Sequence, residues 1–184
     1  MLSISFTKLR IKRYSNKIDK SKEYIFMCNH QSFFDTYILF TLLRDFKAVF
    51  LLKKELYKIP LMGIVFKKLN YIPIERGKRE SSYKSLINAI NSIKNGQSVI
   101  IYPEGTRSED GRLLPLKKGG FIIAARSKRD IVPIKIKYRK KIIQSKGSFL
   151  INPFQVVDAY IYDPIKSDRA DVNELLKKIE SLLT

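Results

Sequence analysis

The stretch Tyr24-Ile25-Phe26-Met27-Cys28-Asn29-His30-Gln31-Ser32-Phe33-Phe34-Asp35 passes from an unbroken apolar run into a polar connection and then into an apolar-rich helical segment. An apolar run of this length, ended by turn-forming residues, reads as a strand buried on both faces. Ser32 to Leu43 reads as the helix that follows it. Ser32 and Asp35 stand at the S-x-x-D spacing of a capping box, which places Ser32 at the N-cap and Asp35 at the third helical position. Strand, short polar turn and helix in that order are the repeating unit of an α/β sheet.

The alternation continues downstream. Ala48 to Leu52 is a second strand, and Lys54 to Leu69 is a helical stretch broken or kinked at Pro60. Tyr71 to Ile74 is a strand that Pro73 assigns to an edge or a bend. Ser81 to Asn95 is the clearest helix, with Ser81 or Ser82 as its cap, Tyr83, Leu86, Ile87, Ile90 and Ile93 on one stripe, and Gly96 at its end. Ser98 to Tyr102 is a strand stopped by Pro103. A helix near Lys118 to Lys128, strands at Ile131 to Tyr138 and Gln155 to Tyr162, and an amphipathic helix at Val172 to Leu183 complete the pattern. The expected fold is therefore a single α/β domain, a mixed and mostly parallel sheet flanked by helices. Residues 1–22, with seven Lys/Arg and Asp19 as the only acid, read as a basic lead-in or solvated arm suited to a membrane surface, and residues 23–184 as the domain proper.

A chain of 184 residues with 45% hydrophobic residues can bury a substantial core, which excludes a disordered chain. Its charge is lopsided: 36 Lys+Arg against 17 Asp+Glu give +19. Such a surplus points to an anionic partner, whether nucleic acid, lipid headgroups or a phosphorylated substrate. A nucleic-acid binder would interleave its basic residues with exposed aromatics in a known module. Here most aromatics sit inside apolar runs, so no nucleic-acid partner is expected. The single cysteine, Cys28, precludes an internal disulfide, and its apolar setting suits a core residue better than a nucleophile. No stretch approaches about 18 consecutive apolar residues, so neither a transmembrane helix nor a signal peptide is expected.

His30 is the only histidine, and any imidazole chemistry must pass through it. Residues five apart on a helix do not face one another. His30 and Asp35 can meet only if His30 precedes the helix and the chain turns between them, as the capping box provides. The other reading of the segment is a hydrogen-bonded structural histidine beside an ordinary cap. A second loop, Tyr102-Pro103-Glu104-Gly105-Thr106-Arg107-Ser108, leaves the apolar strand Val99-Ile100-Ile101. Loops at the carboxyl ends of strands are where open α/β sheets bind ligands. Pro103 stops the ladder, Gly105 permits a turn, Arg107 offers a planar fork to phosphate, and Glu104 is placed to orient Arg107 or a substrate hydroxyl. A turn with an exposed ion pair is the plainer reading of that loop. Arg76, directly after the Tyr71 to Ile74 run, is a third candidate within a charged stretch.

Together these segments resemble the glycerolipid acyltransferase family, whose best-known bacterial members act on 1-acyl-glycerol-3-phosphate. The family's N-H-x-S-x-x-D motif matches Asn29, His30, Ser32 and Asp35. Its F-P-E-G-T-R-S motif matches Pro103 to Ser108, with Tyr102 in place of Phe, and its V-P-[IV] motif matches Val132-Pro133-Ile134. Lys54-Glu55-Leu56 with Pro60 and Gly63 is similar to a further family pattern. The likeness runs from about Lys22 to Lys166. In the remaining motif Asn70 and Pro73 stand where glycine and an aromatic are usual, while Glu75 and Arg76 are retained.

The resemblance implies a glycerol-3-phosphate acyltransferase-like fold and the transfer of a fatty acyl group from acyl-CoA or acyl-carrier protein to a lysophospholipid hydroxyl. Glycerol-3-phosphate or another lysolipid is the alternative acceptor. His30 would be the general base and Asp35 its orienting carboxylate. Arg76, Glu104, Gly105, Thr106 and Arg107 would bind the substrate, with Asn29, Ser32, Pro103 and Pro133 shaping the site. No cofactor or metal is implied. The basic surplus would dock the protein as a peripheral or monotopic enzyme on the cytoplasmic face of an anionic membrane, through the N-terminal segment and Lys135 to Lys146.

Overall fold

The computed structural model describes residues 2–4, 7–13, 15–75, 79–94, 96–139 and 156–184. In chain order they form β1 (Leu2–Ile4), β2 (Thr7–Arg13), β3 (Ile25–Cys28), α1 (Phe34–Leu42), β4 (Ala48–Lys53), a 3-10 turn (Lys54–Lys58), α2 (Met62–Lys68), β5 (Ile72–Ile74), α3 (Arg79–Lys94), β6 (Ser98–Ile101), α4 (Gly119–Ser127), β7 (Ile131–Tyr138), β8 (Val156–Ile161) and α5 (Val172–Leu183). The strands make one sheet in the order β1-β2-β8-β7-β3-β6-β4-β5. Pairing is parallel throughout except between β1 and β2 and between β7 and β8.

The apolar runs become the central strands because both of their faces are covered. Ile25 to Cys28 are all buried, as are Ser98 to Ile101. Phe26, Ile100 and Phe50 stand in register across β3, β6 and β4, and therefore share one face of the sheet. Phe40 of α1 packs on Phe50, with ring centroids 5.3 Å apart, so α1 covers that face. Met27 and Ile101 point the other way, against Gly120 of α4, where an added Cβ would lie 3.3 and 3.2 Å from their side chains. α3, α4 and α5 form the layer on this second face.

Several details depart from the sequence expectation. The basic lead-in is not a solvated arm: β2 lies parallel to β8, Leu9 opposite Val157, and Leu9 is buried while Lys8, Arg10 and Lys12 face outward. The cations occupy the solvent side of a period-two pattern and mask it. α3 begins at Arg79, ahead of the serines read as its cap, and Tyr83, expected on its apolar stripe, is exposed at the edge of that stripe with the Arg126 guanidinium 5.9 Å from its ring. The stretch after β4 divides at Pro60, as expected, into the 3-10 turn and α2. β5, with Pro73, is an edge strand as expected.

Pro133 sits inside β7, opposite Met27. Its carbonyl accepts from Tyr162 N–H on the β8 side, so its missing N–H also faces that side, where the β7–β8 ladder has already stopped at Ile134 and Ile161. Because β3 to β7 run parallel, their carboxyl ends open at one end of the sheet. The expected site residues on loops after β3 and β6 meet there.

Candidate active site

β3 ends at Cys28, yet its ladder gains one more rung from a side chain. The Asn29 amide donates to Ile136 O (2.9 Å) and accepts from Ile136 N–H (2.8 Å), so the main chain can leave the sheet without orphaning β7. His30 follows, and its Nδ1 lies 3.0 Å from Asp35 Oδ2. The same oxygen accepts the N–H groups of Gln31 (2.6 Å) and Ser32 (2.7 Å). The carboxylate thus accepts the Ser32 N–H as a capping box would, although the N-cap of α1 is Phe33 and not Ser32, which puts Asp35 at the second helical position. The hydroxyl half shifts by one residue: Ser32 Oγ accepts from Phe34 N–H at 3.2 Å. Asp35 is fully buried, and the N-terminus of α1 favours its negative charge.

Tyr138, at the end of β7, completes this carboxylate's shell by donating to Asp35 Oδ1 at 2.6 Å. Burial and the adjacent Asp35 charge push its phenol far above the ordinary tyrosine range, so it remains a donor at every relevant pH. With an ionised Asp35, His30 carries its proton on Nδ1, which leaves Nε2 as the basic nitrogen. Tyr102 fixes the ring's plane: it stacks on His30 with centroids 3.8 Å apart and planes 12° from parallel. Its hydroxyl lies 3.3 Å from Thr36 Oγ1, a contact the usual phenylalanine could not make. Burial, then the charge of Asp35, also raise the Tyr102 phenol.

The loop after β6 clamps the peptide groups of His30. Glu104 Oε1 accepts His30 N–H at 2.6 Å, and Ser108 N–H donates to His30 O at 2.9 Å. Glu104 Oε2 accepts Leu114 N–H at 2.7 Å, so both of its oxygens bind backbone and its carboxylate braces two loops. Burial raises its pKa, opposed by these same two hydrogen bonds. Gly105, with φ of 76°, closes the turn by donating to Tyr102 O, and Pro103 occupies the turn position its ring favours. Thr106 is exposed beyond it, and the Arg107 guanidinium lies 3.6 Å over the Phe33 ring. Arg76 lies outside the described residues. Cys28 is buried, and desolvation holds its thiol well above the ordinary range, as suits a core residue. A surface concavity bordered by Phe46, Asn70, Asn88 and Gln97 opens at the opposite end of the sheet and contains none of these groups.

The structure therefore brings His30, Asp35, Asn29, Ser32, Pro103, Glu104, Gly105, Thr106 and Arg107 to one end of the sheet. Pro133 lies deeper, within β7. Sequence reasoning missed Tyr138 and the stacking of Tyr102. Alternation along β7 contained the first signal, since Tyr138 shares the side of Ile134 and Ile136 and ends the strand at the site.

Comparison with known proteins points the same way. Residues 10–137 match the Acyltransferase family model. The chain is 35% identical over 176 residues to the chloroplastic 1-acyl-sn-glycerol-3-phosphate acyltransferase LPAT1 of Arabidopsis thaliana, covering 95% of this chain and 49% of that one. It is 34% identical over 167 residues to the chloroplastic 1-acyl-sn-glycerol-3-phosphate acyltransferase BAT2 of Brassica napus, covering 91% and 48%. The chain spans about half the length of these curated relatives. The crystal structure of the 1-acyl-sn-glycerophosphate acyltransferase PlsC from Thermotoga maritima superposes with a TM-score of 0.72 at 26% identity, covering 97% of this chain and 70% of that one.

Proposed function

This chain belongs to the acyltransferase family, and we propose that it moves a fatty acyl group from a thioester donor to the free hydroxyl of 1-acyl-glycerol-3-phosphate, with His30 as general base. The observation that carries the reading is the 3.0 Å contact of His30 Nδ1 with the fully buried Asp35, which turns Nε2 into the nitrogen available for a proton. In this mechanism Nε2 takes the hydroxyl proton of the acceptor as its oxygen attacks the thioester carbonyl carbon. The tetrahedral species expels the thiolate, which receives the proton back from the imidazolium. The products are the diacylated phosphate lipid and a free thiol. Asp35 stabilises the transient imidazolium, as the aspartate of a Ser-His-Asp triad does, with the substrate hydroxyl in the place of serine. A thioester is already activated, so this sequence of steps needs no metal.

Arg107, half-buried and oriented by Phe33, is our candidate for the substrate phosphate, with Arg76 as a second by its place in the family motif. Glu104 and Gly105 shape the loop that presents Arg107 and Thr106. The donor is acyl-CoA or acyl-carrier protein. Among the described residues no helix is long and apolar enough to cross a membrane. We place the protein on the cytoplasmic face of an anionic membrane as a peripheral or monotopic enzyme, held by its cationic surplus.

The test is acyl transfer from acyl-CoA and from acyl-carrier protein to a panel of lysolipids and glycerol-3-phosphate, beside His30→Ala. Transfer to 1-acyl-glycerol-3-phosphate that drops by on the order of 10²–10⁴ in the variant is the expected result. Undiminished transfer by His30→Ala would remove the proposed base.

A further inference from the structure

We infer that the tip Ile59–Met62, the outer side of α2 and the outer stripe of α1 form one face that seats on an anionic phospholipid bilayer and holds the His30 site at the lipid surface. This deepens the lipid-acylation reading, from which it takes its reason for facing lipid.

The tip is built to project. Leu61 is 77% exposed and has φ 63° and ψ −46°, in a three-residue turn closed by Met62 N–H to Pro60 O at 2.7 Å. A positive-φ turn of this kind is rare and strained for a residue with a side chain. The following glycine is obligatory: a Cβ on Gly63 would stand 2.2 Å from Tyr57 O, so α2 presses its first turn onto the 3-10 turn and Leu61 is thrown outward. A leucine buried nowhere, on backbone held in a strained state, is a feature that a partner surface explains.

The exposed apolar surface continues from the tip. Ile64 is 58% exposed and Val65 49% on α2. Phe33 at the N-cap of α1 and Tyr37 and Phe40 within it follow one another at helical spacing on one stripe, and all three are exposed, Phe40 at the inner edge of the stripe where it also meets Phe50. Beneath this surface the two helices are joined through the buried Tyr71, whose ring lies 6.4 Å from Phe40 and 5.7 Å from Phe66. At the far end Phe33 carries the Arg107 guanidinium, so this face leads to the candidate phosphate site.

The rim identifies the occupant. Between positions 53 and 69 stand Lys53, Lys54, Lys58, Lys67 and Lys68 against Glu55, and Glu75 beside β5 pairs with Lys54 at 3.1 Å. All five lysines are exposed. Protein interfaces are depleted in lysine. An apolar centre with aromatic residues and a lysine rim matches the acyl and headgroup layers of an anionic leaflet.

The test is sedimentation with vesicles of phosphatidylcholine alone and of phosphatidylcholine mixed with phosphatidylglycerol. The wild-type chain is compared with Leu61→Glu/Ile64→Glu and with Tyr83→Glu on α3, which lies in the opposite helical layer. Binding to the mixed vesicles that falls about tenfold or more in the double variant, and is unchanged in Tyr83→Glu, is the expected result. Both altered residues of the double variant are exposed, and its circular dichroism should match the wild type. Equal binding by the double variant would overturn the inference. So would a wild-type dimer that the double variant converts to monomer, because the face would then be covered by a second copy. Sedimentation needs no turnover: vesicle binding through this face without acyl transfer would leave this inference standing and remove the functional reading alone.

Discussion

The loop after β3 and the loop after β6 serve one site but hold their shapes differently. The first closes on itself: within six residues, Asp35 gathers the N–H groups of Gln31 and Ser32 and the ring of His30. The second is braced from outside, its Glu104 reaching His30 in one direction and Leu114 in the other. A locally closed loop takes most of the bonds that shape the dyad from its own residues. A braced loop has its shape only when distant segments are docked, and so transmits errors between them. Each also buries a carboxylate, but Asp35 has its charge surrounded by four donors while Glu104 has two.

Three substitutions test that contrast. Asp35→Asn should have the largest effect. Its oxygen can stay on the three donors while its NH₂ turns to Tyr138, whose hydroxyl rotates to accept, so the fold survives and the charge does not. Activity should fall by on the order of 10³–10⁴ with a near-native far-ultraviolet spectrum. Unfolding of this variant would instead show that charge, not only hydrogen bonding, shapes the loop.

Glu104→Gln should act chiefly on stability. The amide can accept from only one of the two N–H groups, which leaves the other buried and unpaired at a cost of about 1–3 kcal/mol. Burial raises the folded-state pKa of Glu104 above its unfolded value, so ionisation opposes folding. Its contribution is full below the unfolded value and is lost as pH rises through the folded one. Urea unfolding should therefore show the variant's deficit largest at acid pH and narrowing as pH rises. A deficit that widens with pH would reverse this assignment.

Tyr138→Phe is the smallest of the three. Asp35 keeps its local donors and loses only the outside one. A roughly three- to tenfold fall in kcat with unchanged KM is expected, together with an acid limb of the activity profile moved to higher pH. The shift follows because a carboxylate with one donor fewer holds the imidazolium more strongly. Cys28, Tyr102 and Glu104, which also face the dyad, are unaltered in this variant. A fall in stability without movement of the profile would make Tyr138 a structural residue only.

The same contrast explains what the sequence could be read for. The strand at Ile25–Cys28 was readable from its own apolar run, and the meeting of His30 with Asp35 because the bonds that turn the carboxylate back lie within a few positions. α5 was readable at Val172–Leu183 because its apolar period is local. Tyr138 was not, since its bond to Asp35 spans 103 positions. Glu104 was read toward substrate or Arg107 because nothing nearby in sequence identifies Leu114 and His30 N–H as its partners. β2 escaped because its alternation is carried by cations around a single buried leucine, Leu9. The apolar residues of α2 have the composition of a core helix, and only the fold distinguishes covered from uncovered.

Asn29 gives these observations a further consequence. A carboxamide is a peptide unit on a tether, and here it substitutes for the next residue of β3 in pairing with Ile136. It therefore carries the phase of β7 against β3 one rung beyond Cys28, and Tyr138 is two residues further along the same strand. One tethered amide thus indexes the phenol that reaches Asp35. Asn29→Asp, which replaces the donor facing Ile136 O with an acceptor, would be felt less at position 29 than at the Tyr138 hydroxyl, on the far side of the dyad.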